Sequence, residues 1–329
     1  MEIDRATDLR WLRLALQLAR RGRGRTSPNP TVGAVLVKGG RVIGQGWHHR
    51  AGEPHAEIEA IEAARKQARD PRGSVLYVTL EPCCTHGRTP PCTRAIIDAG
   101  IRKVVVGAVD PNPRHAGRGV KVLRQAGLEV RSLTEKAPRQ AGLLRACREL
   151  NTAFNHWIVH RTPFVTVKTG MSLDGKIATV TGESKWITGN EARVHAMRLR
   201  HEHDAILVGI NTILKDDPSL TLRRRDGRAW LRPGNPLRRV ILDSEARTPL
   251  TAAVVNDAFA SHTTVIVSRQ ASARRAQRLA KHVRVLRAPG TKSGLDLRWV
   301  LRRLGAENVT SLLVEGGGEV NASFLRQGL

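Results

Sequence analysis

His55-Ala56-Glu57, followed by Glu81-Pro82-Cys83-Cys84-Thr85-His86-Gly87-Arg88-Thr89-Pro90-Pro91-Cys92, is the stretch on which the reading of this chain turns. One imidazole and two thiolates fill three corners of a zinc tetrahedron and leave the fourth for water. Water on such an ion loses its proton near neutral pH and becomes a nucleophile. Glu57, two residues past the histidine, can move a proton without being a ligand. Isolated cysteines and histidines are more often structural than metal-binding. Here several elements of one pattern coincide, and that favours His55, Cys83 and Cys92 as ligands and Glu57 as the proton-transfer group.

Local structure supports this placement. Pro54 suits a helix start, and 55–67 reads as a helix with Ile58, Ala60, Ile61 and Ala64 as its apolar stripe. Residues 74–80 are β-rich, so Glu81-Pro82-Cys83 follows a strand end. Pro91 can begin a second helix over 92–99, stopped by Gly100. His55 and Cys92 then stand in the first turns of two helices, where thiolates are favoured. Cys83 rather than Cys84 is expected to ligate, because it directly follows Glu81-Pro82. The pattern His-x-Glu, then Pro-Cys, then a further cysteine is that of zinc-dependent nucleobase deaminases. Deaminases of RNA or DNA usually set two residues between the cysteines. Eight separate Cys83 from Cys92. A purely structural zinc module would need a fourth protein ligand, and Glu57 beside His55 argues instead for an open catalytic position.

The 329 residues allow two domains, and 40% of them are hydrophobic, enough for sizeable cores. No window reaches membrane-spanning length, and Met1-Glu2-Ile3-Asp4 lacks the pattern of a signal peptide. Four cysteines, most of them in one motif, suggest metal in a reducing compartment; cytoplasm is the expectation. The net charge is +26, from 55 Lys+Arg against 29 Asp+Glu. It attracts anions, whether nucleic acid or phosphorylated metabolites. It is spread along the chain, with aromatics at only 3%, so it offers non-specific attraction and no specific nucleic-acid site is expected.

Taken in order, 7–21 reads as a helix, 31–37 and 41–46 as a hairpin around Lys38-Gly39-Gly40, and 102–109 as an apolar strand. Asp110-Pro111-Asn112-Pro113 breaks the chain; 121–126 reads as a helix and 128–133 as a strand. This alternation is that of an α/β sheet with helices on both faces. A further helix is expected over 139–154. The domain boundaries follow: 1–150, a linker at 151–163, and 164–329. In the second part, strands are expected at 164–168, 205–209, 239–243, 263–267 and 311–314, with a helix over 190–201. The last strand feeds Glu315-Gly316-Gly317-Gly318 and a helix over 320–326. Such a turn can cradle phosphate with backbone N–H groups. No Gly-x-Gly-x-x-Gly fingerprint follows a strand, so a nicotinamide nucleotide would bind outside the standard Rossmann pattern.

These motifs together resemble the bifunctional riboflavin biosynthesis deaminase–reductase family. His55-Ala56-Glu57, Glu81-Pro82-Cys83, the run 87–92, Asn29-Pro30-Thr31-Val32-Gly33 and His48 match its first half. Ser172-Leu173-Asp174-Gly175-Lys176, the run 182–188, Asp216-Asp217-Pro218 and Glu315-Gly316-Gly317-Gly318 match its second. The resemblance implies a cytidine-deaminase-like three-layer domain followed by a dihydrofolate-reductase-like α/β domain. It implies one Zn2+ per deaminase site, NADPH, a phosphorylated pyrimidine substrate and a homo-oligomer, dimer or tetramer. The first reaction would deaminate 2,5-diamino-6-(5-phosphoribosylamino)pyrimidin-4(3H)-one. The second would reduce the ribosyl side chain to ribityl. Carried over by position, Asn29, His48, His86 and Arg88 are substrate residues of the first site. Gly170, Trp186, Thr212, Asp216, Ser244, Gly317 and Gly318 are cofactor residues of the second, and Ser184, Arg200, Leu220, Arg223 and Glu315 its substrate residues. Arginine suits phosphate because its guanidinium is a fork of donors. The alternative reading is a nucleic-acid-acting zinc deaminase with a basic accessory domain.

Two departures from the family stand out. Thr85 occupies a position where the family often has histidine, so a substrate contact there is expected to differ. The family also runs on for some tens of residues past the equivalent of Leu329, so the reductase domain is expected to be incomplete as given and a poor reductase.

Overall fold

The computed structural model describes residues 6–87, 90–184, 187–223, 227–230, 232–291 and 294–329. The chain divides into two compact units, Met1–His160 and Arg161–Leu329.

In the first unit, helix α1 (Ala6–Ala19) precedes a hairpin of β1 (Gly33–Lys38) and β2 (Arg41–Trp47). Then come α2 (Ala56–Lys66), β3 (Val75–Leu80), α3 (Cys92–Asp98), β4 (Lys103–Ala108), α4 (Arg118–Gln125) and β5 (Glu129–Ser132), closed by α5 (Pro138–Glu149) and α6 (Thr152–His160). The sheet runs β2-β1-β3-β4-β5. β1 is antiparallel to both neighbours, whereas β3, β4 and β5 are parallel and joined by the crossover helices α3 and α4. β4 is buried at every position, as a strand covered on both faces must be.

Two glycines set how closely α2 lies on the sheet. A Cβ at Gly44 would stand 2.1 Å from the carbonyl oxygen of Ala60, and one at Gly46 would stand 2.4 Å from the Cβ of Glu59. Both fall on the same face of β2, two residues apart, so the helix that begins at the metal motif packs backbone against backbone. Across the sheet, α1 is pinned by buried Asp8. It accepts a hydrogen bond from Tyr77 Oη at 2.6 Å and pairs with Lys103 Nζ at 3.0 Å.

The helix expected over 139–154 is two helices, and the expected linker at 151–163 needs correction over 151–160. Asn151 interrupts the run because its amide serves Thr31. Oδ1 accepts from the Thr31 N–H at 2.7 Å and Nδ2 donates to the Thr31 carbonyl at 2.9 Å. The residues that follow form α6, with Trp157 and Ile158 buried in the first unit.

The second unit contains β6 (Phe164–Val167), α7 (Asn190–Glu202), β7 (Ala205–Gly209), α8 (Ile210–Asp216), β8 (Leu222–Arg223), β9 (Ala229–Trp230) and β10 (Arg238–Leu242). It continues through α9 (Ala253–Asn256), β11 (Thr263–Ser268), α10 (Ala273–Ala280), β12 (Arg284–Ala288), β13 (Gly290–Thr291), β14 (Gly294–Leu295), α11 (Leu297–Ala306), β15 (Ser311–Val314) and α12 (Gly318–Arg326). Six strands form a parallel sheet in the order β12-β11-β10-β7-β15-β6. Alternate residues of β7 feed two cores: Ile206 and Val208 join one, Ala205 and Leu207 the other. The carboxyl ends of parallel strands all open on one edge, where ligands of such sheets bind. No helix among the described residues is long and apolar enough to cross a membrane.

Candidate metal centre and cofactor cleft

In the first unit, three side chains from three loop ends converge. His55 is the N-cap of α2, Cys83 follows β3, and Cys92 is the first residue of α3. His55 Nδ1 lies 3.2 Å from Cys92 Sγ and 3.7 Å from Cys83 Sγ, and all three ligand atoms fall within 4.8 Å of one another. Zinc bonds of about 2.0–2.3 Å give tetrahedron edges of about 3.5–3.8 Å, so the donor set and its spacing fit that ion. The Cys92 N–H donates to Cys83 Sγ at 3.3 Å. The Cys92 thiol and His55 also stabilise the Cys83 thiolate, and together they draw Cys83 down to about 4. Cys92, beside that thiolate and buried, is pushed well up and keeps its proton in the metal-free protein. His55 is raised, chiefly by its hydrogen bond with Cys83. Glu57 is buried, which lifts its carboxyl above the usual range.

The centre opens on a cavity of about 310 Å³ whose walls include Asn29, His48, Glu57, Asn112, His115 and Trp157. Burial drops His48 to about 4, so its ring is neutral near pH 7. Its Nδ1 donates to the Pro54 carbonyl at 3.0 Å, which leaves Nε2 to accept from Asn29 Nδ2 at 3.1 Å. His48 therefore orients Asn29. The Glu81 carboxylate is buried too, and it accepts from the backbone N–H groups of Asp110, Gly117 and Val120, tying the loop before α4 to the end of β3.

In the second unit, a cleft of about 700 Å³ lies at the carboxyl ends of β6, β7, β10 and β15. Val320 of α12 fills the space beside two glycines. A Cβ at Gly209 would come within 2.7 Å of its Cγ2, and one at Gly316 within 2.5 Å of its Cβ. The turns that open α8 and α12 thus sit side by side, and the starts of both helices face the cleft. Backbone N–H groups at two helix starts suit phosphate, and a Cβ built at Gly317 meets nothing within 4 Å, so a ligand can approach the backbone there. A dinucleotide phosphate fits this lining. At the β15 end, Glu315 takes both prongs of Arg200, at 2.8 and 2.9 Å, with Lys168 Nζ at 3.9 Å.

Comparison with known proteins follows the same division. Residues 5–108 match the family model described as the cytidine and deoxycytidylate deaminase zinc-binding region, and residues 163–329 match that of the RibD C-terminal domain. The chain is 43% identical over 325 residues to the riboflavin biosynthesis protein RibD of Aquifex aeolicus, covering 98% of this chain and 85% of that protein. The RibD of Escherichia coli is 40% identical over 322 residues, covering 96% and 83%. The chain belongs to the RibD family. A solved diaminohydroxyphosphoribosylaminopyrimidine deaminase/5-amino-6-(5-phosphoribosylamino)uracil reductase from Thermotoga maritima superimposes with a TM-score of 0.82 at 40% identity, over 98% of this chain and 84% of that one. As a RibD, the chain is an enzyme of riboflavin biosynthesis with a cytidine-deaminase-like zinc domain and an NADPH-dependent reductase domain.

The RibD framework can be set against the residues singled out from sequence. His55, Cys83, Cys92 and Glu57 come together, and Asn29 and His48 line the same cavity. Cys84 is turned away, its Sγ 3.7 Å from His115 Nδ1. His86 is exposed and is not among the described residues that line the cavity; Arg88 lies outside the described residues. In the cleft, Gly170, Ser184, Thr212, Asp216, Ser244, Glu315, Gly317 and Gly318 are lining residues, while Trp186 lies outside the described residues. Arg200 reaches the cleft through Glu315. Leu220 is buried in the core of the second unit and Arg223 is exposed on β8; neither is among the described lining residues. Sequence reading missed Asn112, His115 and Trp157. Asp110-Pro111-Asn112-Pro113 read only as a chain break, and α6 was hidden in the expected linker.

Proposed function

We propose that His55, Cys83 and Cys92 hold zinc, that Glu57 moves the protons of a hydrolytic deamination, and that the cleft of the second unit binds NADPH and the deaminated product. The convergence of His55 Nδ1 with two cysteine sulfurs, on a cavity lined by His55, Cys83 and the buried Glu57, carries this reading. The substrate is 2,5-diamino-6-(5-phosphoribosylamino)pyrimidin-4(3H)-one, the class of compound named in the description of the Thermotoga maritima enzyme.

Zinc, when bound, supplies a Lewis acid that makes water nucleophilic near neutral pH. The rest falls to the chain's own groups. Asn29, aimed by neutral His48, holds the pyrimidine ring by its polar edge. Glu57 takes a proton from the attacking water, gives it to the ring nitrogen, and passes a second proton to the departing amine. Water's oxygen stays on the carbon and ammonia leaves. In the second unit the turns at Gly209 and at 315–318 would hold the cofactor phosphates, and Gly170, Thr212, Asp216 and Ser244 would contact the rest of the cofactor. Trp186 belongs to the same set by position. NADPH, when bound, supplies hydride to the ribosyl carbon that bears the amine. The bond from that carbon to the ring oxygen breaks, and the oxygen takes up a proton to give the ribityl chain. Ser184, Arg200 and Glu315 are assigned to this substrate, with Glu315 holding Arg200 in place for its phosphate; Leu220 and Arg223 join the set by the resemblance alone. In the first unit, His86 and Arg88 are assigned to the phosphorylated arm. Free thiols at all four cysteines suit a reducing compartment such as the cytoplasm. We also propose that the protein works as a homo-oligomer, as the resemblance implies.

One assay tests the reading: purified protein with the diaminopyrimidine phosphate, with and without NADPH. Ammonia release should not need NADPH, and NADPH oxidation should follow deamination. Absence of ammonia release from zinc-loaded protein would overturn the assignment.

A further inference from the structure

The loop between β4 and α4 carries a histidine that stands outside the proposed proton transfers. His115 is half-buried, on the wall of the deaminase cavity, beside Asp110 and Asn112. Its Nε2 lies 3.3 Å from Thr85 Oγ1 and its Nδ1 3.7 Å from Cys84 Sγ. The loop that presents it is held firmly. Asp110 Oδ1 accepts from the Asn112 N–H at 2.9 Å, the Asn112 carbonyl accepts from the His115 N–H at 2.8 Å, and the Glu81 carboxylate takes the N–H groups of Asp110 and Gly117. The backbone that carries the ring is thus held, while both contacts at its nitrogens are soft. A thiol is a weak partner, and a hydroxyl can turn to donate or accept.

Position 85 is where the resemblance places an imidazole, and here it is threonine. We propose that His115 supplies that imidazole from a different element, and that its Nε2–H, beside the Thr85 hydroxyl, donates to the phosphorylated arm of the deaminase substrate. This rests on reading the cavity as the deaminase site. The arm is the relevant part because Thr85, His86 and Gly87 are exposed, running outward from the metal ligands, whereas the pyrimidine must reach Glu57 at the buried end. The exchange is a paired one: at position 85 a threonine, shorter than a histidine, and from the neighbouring loop a histidine whose Nε2 lies 3.3 Å from its hydroxyl. His115 is a binding residue of the known reaction, outside the proton transfers.

The test compares wild type with His115→Ala and with the double variant Thr85→His/His115→Val, all zinc-loaded, on the diaminopyrimidine phosphate and on its dephosphorylated form. His115→Ala should raise KM for the phosphorylated substrate about tenfold, one charge-assisted hydrogen bond's worth, with kcat within about twofold. Zinc content and Tm should stay at wild-type values, and the dephosphorylated compound should show no such loss. The double variant should return KM towards wild type. An unchanged KM in His115→Ala overturns the proposal. So does a fall in zinc content or Tm that accounts for the loss, since the histidine would then be a clamp between loops. An equal loss on both substrates overturns the assignment to the phosphorylated arm. A wild-type protein that releases no ammonia fails earlier, at the reading of the site, and is told apart by that control.

Discussion

The two sites of this chain are built in opposite ways. The deaminase cavity is small, about 310 Å³, and its chemistry sits in buried and half-buried side chains whose protonation their surroundings shift: His48 to about 4, Cys83 to about 4, Glu57 upward. The reductase cleft is about 700 Å³ and is lined largely by turns, glycines and helix starts. One site needs specific functional groups within bonding distance of a single point. The other needs a backbone shape that receives a long, charged ligand. Side-chain chemistry leaves a dense motif in sequence. Backbone shape leaves glycines, which many turns share.

Four experiments sharpen or break this contrast. The largest effect is expected from Glu57→Gln. The amide cannot carry protons, so ammonia release should fall about 100- to 10,000-fold, with zinc retained by elemental analysis and reductase rates unchanged. Near-normal ammonia release would remove Glu57 from the mechanism. Next, Cys83→Ser should lose both zinc and deamination, whereas Cys84→Ser should keep both, because Cys84 Sγ faces His115. The opposite pattern would exchange the ligand assignment.

On the reductase side, Gly316→Ala would place a Cβ 2.5 Å from that of Val320. Overpacking of this kind costs about 1–3 kcal/mol. Distortion of the turn should weaken NADPH binding about tenfold in a fluorescence titration and leave ammonia release alone. A loss of deamination in this variant would mean that the two sites are not independent. The smallest effect concerns Glu307, whose carboxylate is held below its usual range by hydrogen bonds from Arg284 and by Arg238 and Arg303 nearby. A depressed carboxylate contributes its full stability above the ordinary carboxylate range and loses it as pH falls through that range. Glu307→Gln should therefore lower the second unit's unfolding midpoint at pH 7, by a contribution of about 1 kcal/mol or less given partial exposure, and should flatten its decline as pH falls through and below the ordinary carboxylate range. An unchanged pH profile would show that the cluster is solvated rather than stabilising.

The cluster of His55, Cys83, Cys92 and Glu57 was legible because a zinc site of the proposed kind demands those residue types, whatever surrounds them. Most strands were legible because parallel strands covered on two faces read as unbroken apolar runs, as Ala205–Gly209 and Ser311–Val314 do, whereas β12, with Arg284 and Arg287 in its five residues, was missed. Helices α10 and α11 were not read in advance, although both are strongly amphipathic, because arginines crowd their outer faces and obscure the apolar positions. The charge itself misled in part. Arg239 reads as one more basic residue, yet it is buried and gripped by Asp257 at 2.7 and 2.8 Å.

Composition and spacing, then, determined by themselves the metal chemistry, the α/β class and the presence of two parts, since each depends on residue type and local periodicity. Only the tertiary structure decided that Asn151 ends one helix to serve Thr31, and that α6 belongs to the deaminase unit. It alone set His115 against Thr85 and locked Arg200 onto Glu315. These pairs are separated by 120, 30 and 115 positions, and no local pattern reports on partners so far apart. They are selected by which side chains the closed sheets bring within hydrogen-bond reach, a property of the packed chain and not of any stretch of it.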